Sequence, residues 1–246
     1  MDEDELDIEL RSPADVAQRC IILAALIRRL SIETSASSTH DVELDGDAFD
    51  LKAWLQTEGI WDRLTAFEAD FLRRPVGQLS EDEIATVAWQ AEGLATLGWS
   101  LGLVDALPPG ELGDAARVLH VVPAPWDQTR QWLRGVALRS EPDVADERDR
   151  AEIFEWRIGL EGPRRVASVP LQREYAQAIA DVAQEAIAAG LIEGAGDDDL
   201  TIGDRLLASF DDQELERLSA IAEERLRALN WLCGFGDAWD RVPLDV

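Results

Sequence analysis

Apolar residues recur three and four positions apart along almost every segment of this 246-residue chain, and no run sustains the apolar–polar alternation of a half-buried strand. That periodicity predicts an all-α protein: a single globular orthogonal bundle of about eight or nine helices around a central, tryptophan-containing helix. No constant helical repeat is present. Residues 1–10 read as an acidic flexible tail and 11–246 as one domain. A seam is expected near 108–125, where Pro108-Pro109-Gly110 and Pro123-Ala124-Pro125 interrupt the helices.

Capping chemistry places most of the boundaries. Ser12-Pro13 opens a first helix expected to reach about Leu30, with Val16, Cys20, Leu23, Ile27 and Leu30 facing the core and Arg19, Arg28 and Arg29 to the sides. Ser35 to Thr39 reads as a loop. A second helix is expected from Asp47 to about Glu58, with Phe49, Ala53 and Trp54 on one side and Gly59 closing it. Thr65-x-x-Glu68 is a capping box for a short helix stopped by Pro75. Ser80-x-x-Glu83 opens the central helix, expected to about Val104, with apolar or small residues on two lines and Glu92 between Trp89 and Trp99. Further helices are expected near Asp114–Val121, over Asp127–Arg139 and from Pro142 to about Ile158. A long one is expected over Pro170–Ala189, with Leu171, Tyr175, Ile179, Val182 and Ala186 buried, and a last over Asp212–Leu232.

A chain with 46% hydrophobic and 30% charged residues can fold on its core alone, which excludes disorder throughout. The charge balance narrows the function classes. Fifty Asp and Glu against 23 Lys and Arg give a net charge of −27, a surface that repels nucleic-acid phosphates and anionic membranes. Neither nucleic acid nor membrane is therefore expected as a partner, and the longest apolar run, Ile21–Ile27, is too short to span a bilayer. The acidic start Met1-Asp2-Glu3-Asp4-Glu5 is the opposite of a secretory signal, and Cys20 and Cys233 sit in apolar helical patterns as reduced buried thiols. A cytoplasmic location is expected. Like-charge repulsion favours a monomer. The single lysine, Lys52, among many arginines fits a GC-rich genome, and the acidity also admits a salt adaptation.

No motif identifies a reaction. Phosphate-binding glycine loops and nucleophile elbows are absent, Asp197-Asp198-Asp199 lacks the alternating ligands of a calcium loop, and His40 and His120 stand in solvent or packing contexts. No metal or cofactor is expected. Glu92 is the sharpest candidate: a carboxylate on an apolar helix is either paired, with Arg225 or Arg227 of the last helix as partner, or functional. The nine tryptophans fill gaps between short helices or wall a pocket.

The stretch Glu224-Arg225-Leu226-Arg227-Ala228-Leu229-Asn230-Trp231-Leu232, followed by Trp239-Asp240-Arg241-Val242-Pro243-Leu244-Asp245, resembles the C-terminal signature of the bacterial domain of unknown function 4272. Arg11-Ser12, Trp89-x-x-Glu92 with Trp99 and Leu101-Gly102, Leu138-Arg139 and Trp156-Arg157 look like landmarks of the same family, so the resemblance runs over nearly the whole chain. Val246 departs from it, standing where the family usually has threonine. The resemblance brings no activity. It implies a set of polar landmarks, Glu92, Arg225, Asn230 and Asp240, interleaved with Trp89, Trp99, Trp231 and Trp239, forming a core network or the floor of a pocket. Two functions are expected from this. One is a non-enzymatic, acidic protein-binding module of inhibitor or immunity type that meets a basic protein. The other is an enzyme or small-molecule binder with a tryptophan-lined pocket around Glu92 and Arg225.

Overall fold

The computed structural model describes residues 8–36, 42–192 and 199–245. The acidic opening up to Asp7, Ser37 to Thr39, His40 with Asp41, Asp197-Asp198 and Val246 lie outside the described residues. Among those described, nine α-helices form: α1 Pro13–Ala36, α2 Val42–Thr57, α3 Ala66–Arg73, α4 Glu81–Ser100, α5 Ala115–Val121, α6 Thr129–Gly135, α7 Glu141–Val166, α8 Val169–Ala188 and α9 Asp212–Leu232. Helices α1, α4, α9 and α7 pack in that spatial order, with α8 on the far side of α7 and α2, α3 and α6 against α1. The protein is all-α apart from one two-stranded hairpin, β1 Thr201–Ile202 and β2 Arg205–Leu206, which no alternation pattern signals because each strand is two residues long. No helix among the described residues is long and apolar enough to cross a membrane.

Both predicted capping boxes form, Thr65 with Glu68 and Ser80 with Glu83, and a third, Asp211 with Glu214, starts α9. Other boundaries move. Helix α1 runs past Leu30 to Ala36 because Arg29 pairs with Glu33 one turn on, at 2.8 Å, and the hydroxyls of Ser31 and Ser35 donate to carbonyls four residues back. Helix α2 starts at Val42 rather than Asp47, and its Phe49 is 62% exposed while Trp54 is fully buried. Helix α4 ends at Ser100, since Gly102 turns the chain with φ +70°. Helix α6 covers only Thr129–Gly135, because residues 136–139 run extended and Arg139 donates its backbone N–H to Ser100 O at 2.8 Å. Helix α7 passes Ile158 and even Pro163 to reach Val166. In α8 the buried positions are Ile179, Ala183 and Ala186, whereas Leu171 is 39% exposed. Nor is the N-terminal segment free up to residue 10: Ile8 and Leu10 pack on the core, and Arg11 N–H donates to Leu232 O.

The continuation of α7 has an electrostatic cause. Glu161 accepts from Arg157, Arg164 and Arg165, three guanidinium groups within one turn, and Arg157 also holds Asp199 through a bidentate pair at 2.6 and 2.8 Å. Burial pushes the Glu161 carboxyl up, but the hydrogen bonds from Arg164, Arg165 and Arg157 outweigh it and hold the group at about 2. A folded pKa below the ordinary 4.5 means that this contribution is complete above pH 4.5 and is lost as the pH falls toward 2. Urea midpoints of the wild type and Glu161→Gln are expected to differ near pH 6 and to converge only as the pH falls toward 2.

Arginine also closes helix ends. The last carbonyls of a helix lack internal donors. Arg139 donates to Trp99 O, Val104 O and Asp105 O past the end of α4, and Arg28 to Leu119 O, Val122 O and Pro123 O at the end of α5. Arg11 reaches Trp231 O and Gly236 O at the end of α9, Arg29 reaches Arg74 O and Pro75 O after α3, and Arg150 reaches Leu191 O after α8. Arg29, and Arg19 with Glu68 and Arg63 O as its acceptors, are buried rather than lateral on α1. A planar fork with its donors fixed in place suits such sites, where two or three carbonyls converge, better than a flexible ammonium does.

Candidate functional site

Glu92 and Arg225 meet where α4 crosses α9. Glu92 is 1% exposed, and its Oε1 accepts from Arg225 Nε at 3.0 Å and Nη2 at 2.5 Å while its Oε2 accepts from the Gly113 backbone N–H at 2.8 Å. Arg225 also donates to Leu107 O, Pro108 O and Glu111 O, so every N–H of its guanidinium has a protein acceptor. The pair thus ties two core helices to the 107–113 turn. Two close approaches make room: a Cβ on Gly113 would lie 2.5 Å from the Ala95 Cβ, and one on Gly98 would lie 2.3 Å from Val118 of α5. Arg227 turns away and sits 3.5 Å from Glu224, not from the Glu223 that a four-residue spacing would pair with it.

Asn230 belongs to a second node. It is fully buried, its Oδ1 accepts from Arg148 Nε at 3.0 Å, and its Nδ2 donates to Pro243 O at 2.9 Å, which ties α7 to the C-terminal segment. Asp240 joins neither node: it is exposed and 3.8 Å from its neighbour Arg241. The four polar landmarks therefore do not form one network, since Arg225 and Asn230 are five residues apart on a helix and project about 140° from each other.

The tryptophans separate likewise. Trp231 and Trp239 meet edge to face with ring centres 5.4 Å apart, with Arg11 over Trp231 at 4.5 Å and Arg19 over Trp239 at 5.2 Å. They border a cleft of about 500 Å³ that also exposes Arg63, Asp15, Asp237 and Asp240. At its edge, burial lowers the Arg19 pKa, while Glu68, hydrogen-bonded at 2.5 Å, works against that shift. Trp99 lies under Arg139 at 4.9 Å in the last turn of α4, and Trp89 is half-buried in the more exposed first half of that helix. The space beside Arg225 is walled by Phe154, Leu218 and Ile221 rather than by tryptophan.

Two charged residues there escaped the sequence reading. Glu147, 6% exposed, accepts from Arg150 on the next turn of α7, and both border the cleft between α7, α8 and the Pro108-Pro109 turn. Their signal was positional: Glu147 takes a core slot in the stripe Val144, Ala151, Phe154 and Ile158. Burial pushes the Glu147 carboxyl up against the pull of Arg150, Arg225 and Arg139. The thiols carry no such chemistry: Cys20 and Cys233 are free and buried, and burial raises Cys233 to about 11. Among the described residues no three His, Cys, Asp or Glu side chains come together in a way that could hold a metal ion.

Compared with known proteins, the chain matches neither a curated protein nor a solved structure. One family matches, described as a domain of unknown function (DUF4272), over residues 2–176. That span takes in Trp89, Glu92 and Trp99 and stops short of Arg225, Asn230 and the two tryptophans of the cleft. Because the match covers most of the sequence, the chain belongs to the DUF4272 family.

Proposed function

We propose that the protein is a non-enzymatic binding module that engages a basic protein through its acidic surface, in the manner of an inhibitor or immunity partner. The observation that carries this reading is that the interior takes up none of the excess negative charge. Among the described residues Arg19, Arg29, Arg148, Arg157 and Arg225 are buried together with Glu33, Glu68, Glu92, Glu147 and Glu161, so the interior is balanced in charge and the excess of carboxylates lies outside. The exterior therefore carries essentially the whole net charge of −27 as an acidic field. Such a field accelerates and selects encounters with a basic partner. The sealed geometry of Glu92 and Arg225 supports a structural role for them over a ligand-binding one.

Capture from a lysate of the source organism at low salt, followed by titration of the purified captured protein at increasing ionic strength, tests the reading. A basic protein is expected whose affinity falls steeply as salt rises, because screening removes the long-range attraction. Retention of no protein, or an affinity indifferent to salt, would sink it.

A further inference from the structure

Most arginines among the described residues are committed to a carboxylate, a backbone carbonyl or an aromatic face, and four make no such contact: Arg130, Arg134, Arg173 and Arg217. Arg173 and Arg217 stand apart on α8 and α9. Arg130 and Arg134 share α6, and a four-residue spacing sets their Cβ atoms about 5–6 Å apart on one face. With Leu133 they border a cleft of about 550 Å³ that runs to Ala14 at the start of α1 and Thr57 at the end of α2. That volume lies within the range of small-molecule sites. Glu58 carries the one carboxylate on the lining, and it is turned to Thr129, whose N–H and hydroxyl both donate to its Oε2, at 3.1 and 2.6 Å. No other lining residue is charged, so the two guanidiniums border the cleft without a counter-ion of their own.

We propose that this cleft binds a small phosphomonoester, its phosphate held between Arg130 and Arg134. Two adjacent forks offer more donors than a carboxylate, with two oxygens and one charge, can use, whereas a phosphomonoester presents three terminal oxygens and close to two charges. The side-chain amide of Gln128 forms no cap for α6, and the Thr57 hydroxyl gives its proton to Ala53 O and keeps its lone pairs open. Both suit hydroxyl groups on the body of the ligand, while Leu133 and Ala14 offer it carbon. The net charge of −27 limits the size of the occupant: a polyanion would extend over acidic surface, whereas a small phosphate stays within reach of the two arginines. The site is separate from the acidic surface that meets a basic protein in the reading above, and can be measured without such a partner.

The test is calorimetric titration of the full chain at pH 8 and fixed ionic strength with phenyl phosphate, benzoate and benzyl alcohol. Phenyl phosphate is expected to bind saturably and about tenfold or more tightly than benzoate, and benzyl alcohol to give no saturable heat. Arg130→Gln and Arg134→Gln are each expected to weaken the phosphate by about tenfold, and the double variant to abolish its binding. Both side chains are exposed and bonded to nothing, so these variants are expected to fold as the wild type does. Arg173→Gln with Arg217→Gln removes the same charge elsewhere and is expected to leave binding intact. Lowering the pH from 8 to 5 is expected to weaken the phosphate, because its second proton binds at about pH 6 and the monoanion engages one fork only. No saturable binding of phenyl phosphate, binding no tighter than that of benzoate, or binding that survives the double variant would overturn the proposal. So would an equal loss in the Arg173 and Arg217 control, which would trace the effect to overall charge, or an affinity unchanged between pH 8 and pH 5.

Discussion

Glu92→Ala is expected to lower the free energy of unfolding by about 3–5 kcal/mol, the usual penalty for stripping one partner from a buried ion pair. The size of the effect follows from what stays behind. Arg225, 6% exposed, would keep its three carbonyl acceptors and lose the carboxylate hydrogen-bonded to it, while the Gly113 N–H would lose its acceptor as well. Equilibrium urea denaturation followed by circular dichroism measures the loss. Adding Arg225→Met to Glu92→Ala is expected to restore part of it, because the uncompensated charge leaves with the guanidinium. A single variant within about 0.5 kcal/mol of wild type would mean that the pair is dispensable for folding, and would return Glu92 to consideration as a ligand-binding group.

Trp239→Ala is expected to cost about 3–5 kcal/mol as a large-to-small change at a buried aromatic. Trp239 is 4% exposed and closes the chain's end onto the core: it meets Trp231 edge to face and lies under the Arg19 guanidinium. It also approaches α4 at Gly93, where an added Cβ would stand 3.4 Å from the ring. The alanine variant thus removes a ring contact, a cation–π contact and the cover over α4 together. Thermal unfolding should show it, with a melting temperature lower by several degrees. Trp239→Phe, which keeps an aromatic face for Arg19, is expected to lose clearly less.

Local chemistry was legible and long-range assembly was not. The boxes at Thr65 and Ser80, the span of α9 and the pairing of Glu92 with an arginine of that helix follow from spacing and from the cost of an unpaired buried charge. Periodicity counts an arginine as polar, so Arg19 and Arg29 read as flanking residues although carbonyls and carboxylates from other segments draw them inside. The same blindness hid Glu147, a charge in a core slot whose meaning depends on α8 and the Pro108-Pro109 turn. The four polar landmarks looked like one site because they are alike in chemistry. Helical geometry separates Arg225 from Asn230, and Asp240 faces solvent.

The arginines that close helix ends bear on how the molecule comes apart. A helix capped by its own neighbours can fray turn by turn, whereas here Arg11 seals an end 220 residues away in sequence and Arg28 one more than 90 residues away. Opening the last turn of α5 or α9 then requires breaking a contact between distant parts of the chain. The penalty for partial opening rises toward that for complete unfolding, so the amides of those last turns should exchange with solvent at nearly the rate of the core. In such a molecule the weakest points of the helices become its most cooperative ones.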